Sequence, residues 1–163
     1  MGTRSLTRVI PRQEGLAYNQ GHLHPEKAVT NMYRQFDGYP EGHGLELAEF
    51  LKDIKIVNGI GTDQRKLSKY ANGEGCLAAQ MVKHFKNDLG YIYLELCEGE
   101  PGDYGDEYIY TLFPKAGEPT YIAIYNVWDK KCIFVGTPHE LIEKYTSEEV
   151  HVLIFYIYYN III

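Results

Sequence analysis

Polar and apolar residues alternate through Thr3–Ile10, with Arg4, Leu6, Arg8 and Ile10 on one side and Thr3, Ser5, Thr7 and Val9 on the other. A period of two sends successive side chains to opposite faces of a strand, so this segment predicts β structure. Ala28–Phe36 predicts a second strand, antiparallel to the first. Between them, Pro11–Glu26 carries Gly15, Asn19, Gly21 and Pro25 and predicts a loop long enough to be functional. Asp37–Gly44 holds three glycines and a proline in eight residues, which excludes regular structure. The period then changes. Leu47, Phe50, Leu51 and Ile54 recur at helical spacing, predicting a helix over Leu45–Ile54. Asn58–Gly61 interrupts the chain, and Gly75–Asp88 predicts a second helix with Leu77, Met81, His84 and Phe85 on one face.

Strands are predicted at Tyr91–Glu98, Glu107–Phe113, Thr120–Val127 and Cys132–Val135, with an acidic glycine loop, Glu98–Asp106, between the first two. The short Trp128–Lys131 connection makes the last pair a hairpin. Thr137–Pro138–His139–Glu140 is a helix start, with threonine at the N-cap, proline at the first helical position and glutamate two further on. That helix is expected to reach about Tyr145. The tail Val150–Ile163 is almost wholly apolar, β-branched and aromatic, which predicts a final strand, buried in the fold or against a second subunit. The order ββ–αα–ββββ–α implies one α+β domain over residues 1–163, a mostly antiparallel sheet with helices packed on one face.

Charge narrows the choice of partners. A formal net charge of −6 argues against a broad basic face for duplex nucleic acid, but not against a small anion held by one or two arginines. Cys76, Cys97 and Cys132 are odd in number and widely spaced, which suits reduced thiols and a cytoplasmic protein. Neither a signal peptide nor a myristoylation pattern is read at the N-terminus, where Leu6 stands in place of the required hydroxyl residue. The 14-residue tail is short of the ~20 apolar residues of a spanning helix, so no membrane partner is expected.

Arg34 is the most informative position. It shares a strand face with Met32 and Phe36, and a guanidinium among apolar neighbours must find a counter-charge. An internal acid such as Asp37 or Glu46 would serve, and so would a bound anion. Gly42–His43–Gly44 follows and opens a helix, where free amides and the positive dipole end suit phosphate or carboxylate. Arg4 and Arg8 lie roughly 13 Å apart on one strand face, at about 3.3 Å per residue. With Arg12 they make three of the chain's five arginines. If the first two strands pair, Arg4 or Arg8 could join Arg34 in a positive pocket. Tyrosine is abundant, 15 in the chain, with alternate-position pairs at Tyr91/Tyr93, Tyr108/Tyr110 and Tyr121/Tyr125. Such ladders suit cross-strand packing or base stacking. His22 and His24 form a weak metal pattern, and no metal or cofactor is expected.

The strings Met-Gly-Thr-Arg-Ser at the start, Met32-Tyr33-Arg34-Gln35, Asp37-Gly38-Tyr39-Pro40, Gly42-His43-Gly44 and Glu46-Leu47-Ala48 resemble a family of small uncharacterised proteins of bacteriophages and bacteria. By analogy with phage proteins that sequester cyclic oligonucleotide signals of anti-phage defence, this resemblance implies a nucleotide-binding sponge, oligomeric and without turnover. Its ligand site would comprise Arg4, Tyr33, Arg34, Asp37, Tyr39, Gly42, His43 and Gly44. The alternatives are a small hydrolase using His43 with Asp37 or Glu46, and a protein-interaction inhibitor acting through its acidic surface and apolar tail.

Overall fold

The computed structural model of the chain describes residues 2–59 and 69–161, the side chains of 148–150 excepted. The predicted break at 58–61 therefore lies partly outside the described residues. Strands β1 (Ser5–Val9), β2 (Thr30–Arg34), β5 (Ile92–Leu94), β6 (Tyr108–Phe113), β7 (Tyr121–Asn126) and β8 (Lys131–Gly136) form one sheet in the order β5-β2-β1-β6-β7-β8. All neighbours are antiparallel except the central β1–β6 pair. A second, two-stranded parallel sheet joins β3 (Lys55–Val57) to β4 (Tyr70–Asn72). The fold is α+β, as the alternating pattern predicts.

Every residue of β1 is buried, because the strand is central and covered on both faces. Its Val9 side meets α1 (Leu45–Leu51), α2 (Gly73–Phe85) and α3 (Pro138–Ile161) through Met32, Leu47, Leu51, Leu77, Met81 and Leu112. The opposite face is covered by the segment after β1, which forms two 3-10 turns, Tyr18–Leu23 and Pro25–Lys27. There Ile10, Phe113 and Ala123 pack with Leu16 and Tyr18. His84, predicted on the buried face of α2, is instead exposed and stacks on Phe50, with ring centroids 4.6 Å apart.

The predicted start of α3 is realised as a reciprocal cap. The Glu140 amide donates to Thr137 Oγ1 and the Thr137 amide donates to Glu140 Oε2. The predicted tail strand is not. The helix runs on to Ile161, because no glycine or proline follows Pro138 to end it. Extending a helix past its nucleus costs a β-branched or aromatic residue only about 0.7 kcal/mol or less relative to alanine. No helix of the described residues is long and apolar enough to cross a membrane.

Candidate functional site

Arg34 sits at the end of β2, where its side chain turns under the Asp37–Gly44 segment and is 3% exposed. Its Nε donates to the Phe36 carbonyl at 2.7 Å and its Nη2 to the Tyr91 hydroxyl at 2.8 Å. Nη1 donates to Glu46 Oε2, which supplies the counter-charge, and to His43 Nδ1 at 3.0 Å. Burial opposes the guanidinium's charge, but Glu46 and Tyr91 more than offset it and hold the group above its ordinary range. Glu46 is one of the internal acids that the sequence offered as a partner for Arg34.

His43 is fully buried beneath this guanidinium. Because Arg34 donates to Nδ1, the ring proton lies on Nε2 and is donated to Thr7 Oγ1 at 2.7 Å. Burial, then the Arg34 charge, pushes the imidazole down to about 3. Tyr110 and Phe85 close on the ring edge-on at 4.9 and 5.0 Å, and Tyr110 donates its hydroxyl to the Gly38 carbonyl. The constellation clasps β1, β2, β6 and α1 together. A neutral, solvent-inaccessible imidazole does not suit the acid–base role that a hydrolase at this site would need.

The amides around His43 are also committed. Those of Gly42 and Gly44 donate to the Tyr39 carbonyl and that of His43 to the Asp37 carbonyl, so Pro40–Gly44 is a closed π-helical turn. Only Asp37 and Tyr39 of the predicted set are well exposed here. Gly42 is required by close approach, since a Cβ there would stand 2.6 Å from the Asp37 oxygen.

The remaining predicted residues do not converge on Arg34. Ser5 pairs with Arg34 across the β1–β2 register, which puts Arg34 on the Ser5/Thr7 face and Arg4 and Arg8 on the other. Arg4 lies beside Gly105, and Tyr33 packs toward Tyr93 at 6.1 Å, again opposite Arg34. Arg8 is wholly buried, donating to Asn31 Oδ1 and the His22 carbonyl. The tyrosine ladders are likewise split. Tyr110 faces the helices, whereas Tyr121 and Tyr125 meet Tyr18 and His22 on the opposite face. No group of three metal-ligating side chains occurs among the described residues.

Among the described residues Ser5 Oγ, Arg8 Nη2 and Thr120 Oγ1 are buried without a hydrogen-bond partner, and Arg12 has two such donors beside a cleft. β1 and β6 are parallel and so are β3 and β4, and the residues that follow all four strands line one open cleft of about 560 Å³. Arg12 enters it from β1, Lys115 from β6, Asn58 from β3 and Gly73–Glu74 from β4. The Arg12 guanidinium lies 5.3 Å from the Tyr18 ring centre and 4.9 Å from that of Tyr121, and its Nη1 pairs with Glu118. Its Nε and Nη2 are covered yet have no hydrogen-bond partner among the described residues. Leaving such a group unsatisfied costs roughly 1–3 kcal/mol or more. Glu118 is shared with Lys115, at 3.5 Å, so two cations divide one carboxylate.

The cleft also receives the start of α2. The N-cap residue Asn72 makes no side-chain cap to this 13-residue helix, for it turns away and accepts the Gly59 amide at 2.7 Å. The first amides of a helix have no intrahelical acceptor and carry the positive end of its dipole. Gly73 has φ +74°, a left-handed conformation that suits glycine, and a Cβ at Gly73 or Gly75 would meet no other described residue within 4 Å beyond the adjoining chain. The glycine pair at 73 and 75 is the same kind of sequence signal as the pair at 42 and 44. Arg12 carried no comparable mark, because its neighbours in space come from distant segments. No protein-family model, curated protein or solved structure matches the chain.

Proposed function

We propose that the chain binds a small anionic ligand of nucleotide size in the cleft at the strand ends, and holds it without turnover. The observation that carries this reading is Arg12, whose covered Nε and Nη2 have no partner among the described residues, lining a cleft that also receives a helix start its N-cap side chain leaves uncapped. Ligands of open sheets collect beyond the carboxyl ends of parallel strands, where helix amides and loop side chains converge. A phosphate or carboxylate entering here would meet the Gly73–Gly75 amides and, after a rotamer change, Arg12. The Tyr18 ring supplies an apolar wall for a base.

Binding without chemistry fits the lining. Among the described residues the cleft has carboxylates at Glu14 and Glu74 but no histidine, cysteine, serine or threonine. Its volume falls within the range of small-molecule sites. A signalling nucleotide, held as a phage sponge would hold it, is the form of this reading that the resemblance favours.

The test is calorimetric titration with orthophosphate, a mononucleotide and a cyclic dinucleotide, using wild-type and Arg12→Gln protein. Saturable binding by at least one of them is expected, weakened about tenfold or more by losing a charge-assisted contact, with the ligand recovered intact. Cleaved ligand would make the protein an enzyme. Failure of all three to bind the wild-type chain would remove the proposal.

A further inference from the structure

From Val152 to Tyr159 the distal half of α3 is apolar on every side and exposed throughout. Leu153, Phe155, Tyr156, Tyr158, Tyr159 and Ile161 are each more than half exposed. A helix that is apolar all round is one that is covered on all sides. Taking aromatic side chains at ~150–250 Å² each, the exposed apolar surface here amounts to roughly 1,000 Å² per chain. Monomeric proteins rarely leave patches beyond about 300–600 Å² open. Two such helices packed along one stripe would together bury on the order of 1,000 Å², and further copies around the helix would cover the rest, reaching the scale of a lasting homomeric interface.

From these features we infer that the distal half of α3 is a self-association helix, packed in solution against the same helix of further copies of this chain. Charge selects this occupant over a lipid surface. Helices that lie on membranes carry lysine and arginine along their polar side, and 146–161 contains neither. The last cation before it, Lys144, is turned back to donate to the Ile133 carbonyl. Glu143, exposed at the base, is a carboxylate that anionic headgroups would repel. The helix from 151 to 161 also rises only about 16 Å, half a hydrocarbon core. Phe155 and Tyr159, stacked one turn apart with centroids at 6.4 Å, form a ready ridge for interdigitation.

Sedimentation velocity over a hundredfold range of concentration tests this on the full chain. The wild type is expected to associate reversibly, whereas Phe155→Ser/Tyr159→Ser and Leu153→Ser/Ile157→Ser variants sediment as monomers with the thermal midpoint of their domain retained. These side chains are about half exposed or more and belong to neither core cluster of the described residues, so folding is preserved in both. A wild-type chain that stays monomeric throughout overturns the inference, as does association that survives both variants. Flotation of a monomeric wild type with phosphatidylcholine vesicles overturns it too, in favour of lipid.

Discussion

Replacing Arg34 by methionine separates a structural clasp from a ligand site. The substitution keeps most of the aliphatic volume and removes the donors. Glu46 is half exposed and would regain water at small cost. Three acceptors would not recover so easily: His43 Nδ1 in a buried ring, the Tyr91 hydroxyl, and the Phe36 carbonyl that receives Nε. Charge-assisted hydrogen bonds are worth ~1.5–3 kcal/mol each and do not add fully. A loss of about 3–4 kcal/mol is therefore expected, close to the ~3–5 kcal/mol measured when one member of a buried pair is removed. For a chain of this size that corresponds to a fall in Tm of roughly 6–16 °C. Urea and thermal unfolding measure it, with anion titration below the transition as the second readout. A variant as stable as wild type but unable to bind the anion would show that Arg34 is no structural clasp and would return the ligand to it.

Three further outcomes follow from the same geometry. His43 titrates at about 3 when folded and near 6.5 when unfolded, so the unfolded chain takes up the proton first and stability falls as pH drops below 6.5. The slope approaches about 1.4 kcal/mol per pH unit, and urea midpoints between pH 6.5 and 5 should fall less steeply in His43→Gln. Gly42→Ala should cost on the order of 2 kcal/mol as its Cβ meets the Asp37 oxygen, while Gly44→Ala, with an ordinary 3.5 Å contact, stays near wild type by thermal melting. Glu74 places a carboxylate at the start of α2, so Glu74→Gln should tighten anion binding severalfold in titration; weaker binding would show that the anion does not sit at this helix start.

The sequence was legible where one local rule acted alone. Alternation located β1, and the Thr137–Glu140 cap was readable because its donors and acceptors lie within four residues. Arg34 was correctly singled out as needing a counter-charge, and Glu46 was among its named partners. What sequence could not give was the sidedness of the sheet around it, which sent Arg4 and Arg8 to the far face. The tail misled because its composition favours strand while its position continues a helix already nucleated at Thr137. β3 and β4, at three residues each, are too short to show any period. The Arg12 cleft gathers the ends of four strands, a convergence written in the topology and not in any one segment.

A crystal structure of the chain soaked with the tightest-binding nucleotide decides where the anion resides. A phosphate is expected within hydrogen-bond distance of Arg12 and the Gly73–Gly75 amides, with the Arg34–His43–Glu46 contacts unchanged. A phosphate lodged beneath the Asp37–Gly44 turn, with Glu46 displaced from Arg34, would contradict it.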